Sequence, residues 1–130
     1  MANEANAEKT AAGKDWARQP LTIVLWWGMP IAIGAAAAGI PRLPARADAG
    51  VCALLFAWMA TGCLLNARRC HRVHCYISGP VLLLGAILAG LVAAGVIDLG
   101  PRTFNSAVSA ILVLALLSFA PEIVWKRYAA

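Results

Sequence analysis

The stretch RRCHRVHCYISGP, residues 68–80, sets two thiols and two imidazoles among three guanidinium groups in an otherwise apolar chain. Thiolates are good ligands and nucleophiles, and neighbouring positive charge favours the thiolate over the thiol. Arg69 and Arg72 are therefore the expected thiolate-stabilising residues beside Cys70 and Cys75. His74 adds a neutral nitrogen donor near physiological pH. If one helix continues through this segment at about 100° per residue, Cys70 and His74 share a face, and Cys75 joins them where that helix frays. Ser78 then caps the next helix, Gly79 breaks the chain and Pro80 occupies a first helical turn. Three donors are one short of a closed tetrahedral zinc site, an arrangement suited to exchange rather than to a structural knot. Soft sulfur ligands select Cu(I), zinc and other soft ions over magnesium or calcium. His71 is a further donor in reach of the segment, although its angle on a continuing helix points away from Cys70. Glu122 could bring a carboxylate from a neighbouring helix. The plainer alternative is a basic topogenic loop with incidental Cys and His.

Cys52, Cys63 and Cys70 follow one another at intervals of eleven and seven residues. Each interval returns a helix to within about 20° of its start. On one uninterrupted helix these sulfurs and His74 would form a single stripe. The steps rise by about 16 Å and 10 Å, too far for direct hand-over between sulfurs. Any pathway would need donors on other helices or movement. Cysteine also packs as a small hydrophobe. Packing is the simpler role for Cys52, and for Cys63 packing and ligation both stay open.

The elements that must position these groups are set by hydropathy. Of 130 residues, 62% are hydrophobic and 13% charged, against about 25% charged in soluble chains. Apolar runs near or above about 18 residues read as membrane spans. Four are expected, at 21–40, 51–67, 80–97 and 107–125, the last reaching full length only with Glu122 to Trp125 counted. This predicts an all-α, integral membrane four-helix bundle over 21–130, preceded by a polar tail over 1–20. That tail has no apolar core, so no cleavable signal peptide is expected in it. Its Ala, Glu and Lys content allows a short amphipathic helix.

Lys and Arg counts give the orientation. Lys9, Lys14, Arg18, Arg68, Arg69, Arg72, Lys126 and Arg127 fall on one side, and Arg42, Arg46 and Arg102 on the other. Both termini and the Cys/His loop are thus expected on the cytoplasmic side of a cell inner membrane, with Trp16, Trp125 and Tyr128 at its interface. In that reducing compartment thiols stay free, and paired cysteines signal metal binding or redox chemistry. The net charge of +5 is then a topology signal that suits anionic headgroups. It forms no domain-sized basic face, so no nucleic-acid partner is expected.

Small residues at Ala86, Gly90 and Ala94, and in the run from Gly34, predict close helix approach. Pro30 predicts a kink in the first span. Trp26 and Trp27 precede it and either pack or line a cavity. Asn66 is expected to bond between helices rather than to ligate. With no acidic residue deep in any span, neither a channel filter nor a proton relay is expected.

Length, four spans and membrane-mouth cysteines make the chain resemble the small inner-membrane mercuric-ion transport proteins. That resemblance implies passage of Hg(II) between thiol pairs toward a cytosolic acceptor, with Cys70 and Cys75 in the inner-loop role and Cys63 in the in-membrane one. The family carries a cysteine pair in its first span, whereas Leu21 to Ile40 has none. The leading expectation is a non-enzymatic protein that binds and passes a soft metal ion to a cytosolic thiol acceptor. An accessory or anchor subunit, as a homo-oligomer or within a larger membrane complex, is the second. A membrane thiol oxidoreductase ranks last, because C-x4-C departs from the C-x-x-C redox spacing.

Overall fold

A computed structural model describes residues 2–40 and 43–124. Arg42, Trp125, Lys126, Arg127 and Tyr128, used above for orientation and interface, lie outside them. All described elements are helical: α1 (Ala2–Lys14), a 3-10 turn (Trp16–Arg18), α2 (Pro20–Ile23), a π turn (Val24–Gly28), α3 (Met29–Ala38), α4 (Ala45–Cys70), α5 (Val73–Ala93), α6 (Gly100–Leu117) and α7 (Ala120–Val124). Four helical stretches are long and apolar enough to cross a membrane: Pro20–Ala37, Ala45–Cys70, Val73–Ala93 and Gly100–Glu122. Their outward side chains are apolar too, with Leu54 73%, Leu84 66% and Leu116 69% exposed. Such a surface suits hydrocarbon rather than water.

The first span runs without a break through α2, the π turn and α3. Its irregularity lies one turn before Pro30, where the Met29 amide reaches back to the Val24 carbonyl. The widened turn turns two successive tryptophans toward α4. Trp26 lies against Gly62, and Trp27 packs on the cluster that holds Cys63. Pro30 itself is buried.

Between α4 and α5 the chain departs from the expected path. The helix stops at Cys70, and His71 takes a left-handed conformation, φ 54° and ψ 37°, while its N–H bonds the Ala67 carbonyl. A side chain there costs roughly 1–2 kcal/mol, although His tolerates the region better than most residues. The His71 ring is held by the Tyr76 hydroxyl at 2.9 Å. Arg72 is extended, and α5 starts at Val73. The break therefore comes before His74 and Cys75, not at Gly79–Pro80, and Pro80 lies inside α5. Ser78 caps nothing; its hydroxyl donates to the His74 carbonyl one turn back. Gly79 gives Leu64 of α4 room that a Cβ would fill, at 2.8 Å.

The fourth span also begins earlier than hydropathy indicated. Residues expected as loop start α6 at Gly100, with φ 65°, its amide bonded to the Asp98 carboxylate. Pro101 fits the first turn because no N–H is needed there, and Phe104 is buried against Ala49 and Ala89.

A second buried cluster joins Phe56, Ala60, Cys63 and Ala67 of α4 to Cys75, Leu82 and Ala86 of α5. Small residues bring these two helices together, as expected, at Ala86 but not at Gly90 or Ala94. A Cβ at Gly90 would meet nothing within 4 Å, whereas one at Gly85 would meet Ile111 at 3.0 Å and Phe56 at 3.1 Å. Ala94 is exposed. Gly85→Ala is accordingly expected to destabilise by about 1–3 kcal/mol through overpacking. Gly90→Ala should be neutral or slightly stabilising. Paired denaturation curves in the same detergent would check the contrast, and equal effects would contradict it.

Candidate functional site

Cys63 on α4 and Cys75 on α5 are buried where these two helices pack together. Both belong to one buried cluster. Ser78 Oγ lies 3.5 Å from Cys63 Sγ. Asn66 Nδ2 lies 3.6 Å from Cys75 Sγ. On the other side of Cys75, His74 Nε2 stands 3.3 Å from the sulfur. All four cysteines are free thiols.

The His74 ring is fixed from two directions. Phe119 stacks on it, centroids 4.1 Å apart. Glu122 Oε1 lies 2.6 Å from Nδ1 and also accepts the His74 backbone N–H at 3.1 Å. A carboxylate only accepts, so the neutral imidazole carries its proton on Nδ1 and leaves Nε2 as an acceptor facing Cys75. The same carboxylate serves as a cap. α5 has no side-chain cap of its own, and an anion at a helix N-terminus satisfies free amides and the positive end of the dipole.

Arg72 bridges two carboxylates. Its Nε and Nη2 donate to Glu122, at 3.2–3.3 Å, and its Nη1 donates to Asp15 Oδ2. Asp15 is fully buried, between α1 and the 3-10 turn. Its other oxygen accepts from Asn66 Nδ2 at 2.9 Å, and Asn66 Oδ1 accepts the Trp16 N–H at 2.9 Å. Burial alone would lower the Arg72 pKa, but its bonds to Glu122 and the charges of Asp15 and Glu122 outweigh that and hold it above its usual value. Arg72 is thus a permanent cation between two anions. Among the described residues no buried side-chain nitrogen or oxygen lacks a hydrogen-bond partner.

The predicted residues separate into two groups. His74, Cys75, Cys63 and Glu122 come together. Cys70 is buried and donates to the Asn66 carbonyl at 3.1 Å. His71 is exposed and paired with Tyr76. Cys52 lies at the far end of α4 against the Ala49–Phe104 cluster. The single stripe from Cys52 to His74 does not form, because α4 ends at Cys70. Arg72 gives its side-chain donors to Glu122 and Asp15, and Arg69 sits over the Trp16 ring at 4.8 Å. Asn66 bonds between elements as expected. Asp15 is the residue that sequence reasoning missed. Its only signal was an acid beside Trp16 in a tail that could reach a basic loop.

Among the described residues no set of three or more His, Cys, Asp or Glu side chains is arranged to hold one metal ion. What the cluster offers is a pair of thiols with one imidazole acceptor beside it. Such a pair can bind a soft ion between two sulfurs or be oxidised to a disulfide. The chain matches no family, no curated protein and no solved structure in comparisons of sequence and fold.

Proposed function

We propose that this protein binds and passes a soft, mercury-like metal ion across a cell inner membrane, with Cys63 and Cys75 as the two-sulfur site. The observation that carries the reading is the burial of both thiols in one cluster, with His74 Nε2 3.3 Å from Cys75 Sγ and its far nitrogen anchored on Glu122. An ion that prefers two sulfurs in a line needs no third ligand, unlike tetrahedral zinc. Charge favours a divalent ion. Replacing two thiol protons by one divalent ion leaves the charge of a buried site unchanged, whereas Cu(I) would leave an extra negative charge there. The excess of Lys and Arg puts this end of the bundle in the cytoplasm, where a small cytosolic thiol would accept the ion.

Under this reading the purified protein, loaded with Hg(II) and washed with a monothiol, keeps about one ion per chain, because a two-sulfur chelate outlasts single-thiol adducts. Cys63→Ser and Cys75→Ser each lose it, and Cys70→Ser keeps it. Loss with Cys70→Ser, or retention with Cys75→Ser, would exclude this site. The anchor-subunit reading is favoured by a different observation, the full satisfaction of the buried polar groups. It predicts that no variant retains the ion.

A further inference from the structure

The amino-terminal segment is held to the bundle in an unusual way. α1, with sequence ANEANAEKTAAGK, has no apolar residue larger than alanine. It cannot dock by a hydrophobic stripe as amphipathic helices do. Among the described side chains, those of Asp15 and Trp16 attach it to the bundle. Asp15 is fully buried, bonded to Arg72 and Asn66, and it touches the Cys70 thiol. Trp16 donates its N–H to Asn66. The Trp16 ring stacks on Trp26, centroids 5.6 Å apart and planes 9° apart, beneath the Arg69 guanidinium.

Asn66 links this attachment to the thiol pair. The one Nδ2 group reaches both Asp15 Oδ1 at 2.9 Å and Cys75 Sγ at 3.6 Å. Cys75, Cys70 and His74 are each 2% exposed or less with the segment in place. A soft ion leaving Cys75 for a water-soluble thiol must pass this end of the bundle.

We propose that residues 2–18 form a lid over the thiol cluster, latched by Asp15 and Trp16, and that undocking of the lid exposes Cys75 to a thiol-bearing partner in the aqueous phase. A helix with no apolar side chain larger than alanine makes the lid a low-stability unit able to open without unfolding the bundle. Its opening would free the Asn66 amide and one side of Arg72 together. The proposal rests on the preceding reading only in taking Cys75 as a working thiol.

The test is the rate at which a charged maleimide labels Cys75, as sole cysteine, in the full chain in lipid nanodiscs. Both membrane faces are then open to the reagent and no metal is involved. Asp15→Ala and Trp16→Ala should each speed labelling at least about tenfold. A second background with Cys52 as sole cysteine, at the far end of α4, should label at an unchanged rate. Unchanged Cys75 labelling in both variants overturns the lid. So does a parallel rise at Cys52, which would mean general loosening. Failure to retain Hg(II) with the labelling result intact would remove the ion and leave the lid.

Discussion

Arg72→Ala is expected to destabilise the protein by about 3–5 kcal/mol, the range seen when one partner of a buried ion pair is removed. The substitution removes the cation that bridges two carboxylates, Asp15 at 0% and Glu122 at 6% side-chain exposure. Lost packing of the arginine stem is the competing explanation. The two causes predict opposite signs for a further change. Adding Asp15→Asn and Glu122→Gln to Arg72→Ala should recover stability, because neutral amides cost less to bury than carboxylates that have lost their bridging cation. If packing dominated, the triple variant would be no better than the single one. Arg72→Lys should lie between, since a lysine cannot bond two carboxylates with a rigid fork of donors. Equilibrium denaturation in one detergent, with all variants side by side, measures the series.

How much of this was legible in the sequence follows from what each signal encodes. Hydropathy located four spans because the bilayer demands a minimum apolar length, and it missed the start of α6 because Arg102, Thr103 and Asn105 dilute that signal in the first turns. Residue type marked Cys63, His74, Cys75 and Glu122 as chemically capable, and Asn66 as a bonder between helices. Their partnerships were another matter. The stripe argument assumed one helix through residue 74, and a left-handed His71 breaks that assumption. A left-handed histidine has no local signature as strong as glycine's; contacts of Arg72 and Tyr76 on either side of the link select it. The placement of Cys63 and Cys75 in one cluster depends on the register of α4 against α5, which brings Gly79 against Leu64 and Gly85 against Phe56 in close approaches that periodicity does not report. Asp15 was hidden for a related reason. A single carboxylate inserted from a polar tail leaves no pattern, and only its complementarity to Arg72 marks it.

Glu122→Ala is expected to cost about 2–4 kcal/mol, chiefly because it leaves buried donors without an acceptor. The His74 backbone N–H and Nδ1 would both lose their partner, and Arg72 would keep only Asp15. Glu122→Gln retains an acceptor oxygen and should cost less, about 1–2 kcal/mol. The helix-cap role and the ion-pair role of Glu122 separate in a double-mutant cycle with Arg72. The part of the Glu122→Ala loss that vanishes in an Arg72→Ala background belongs to the ion pair, and the remainder belongs to the start of α5 and the His74 ring. A remainder near zero would mean that capping contributes nothing. Ion retention gives an independent reading of the same carboxylate. A group that orients the imidazole beside a sulfur ligand typically contributes about 10–100-fold to affinity. Glu122→Gln should therefore weaken Hg(II) retention less than Glu122→Ala, in the same order as stability, and both less than Cys75→Ser. An order with Cys75→Ser mildest would place the working sulfur elsewhere and dissolve the link between this carboxylate and the thiol pair.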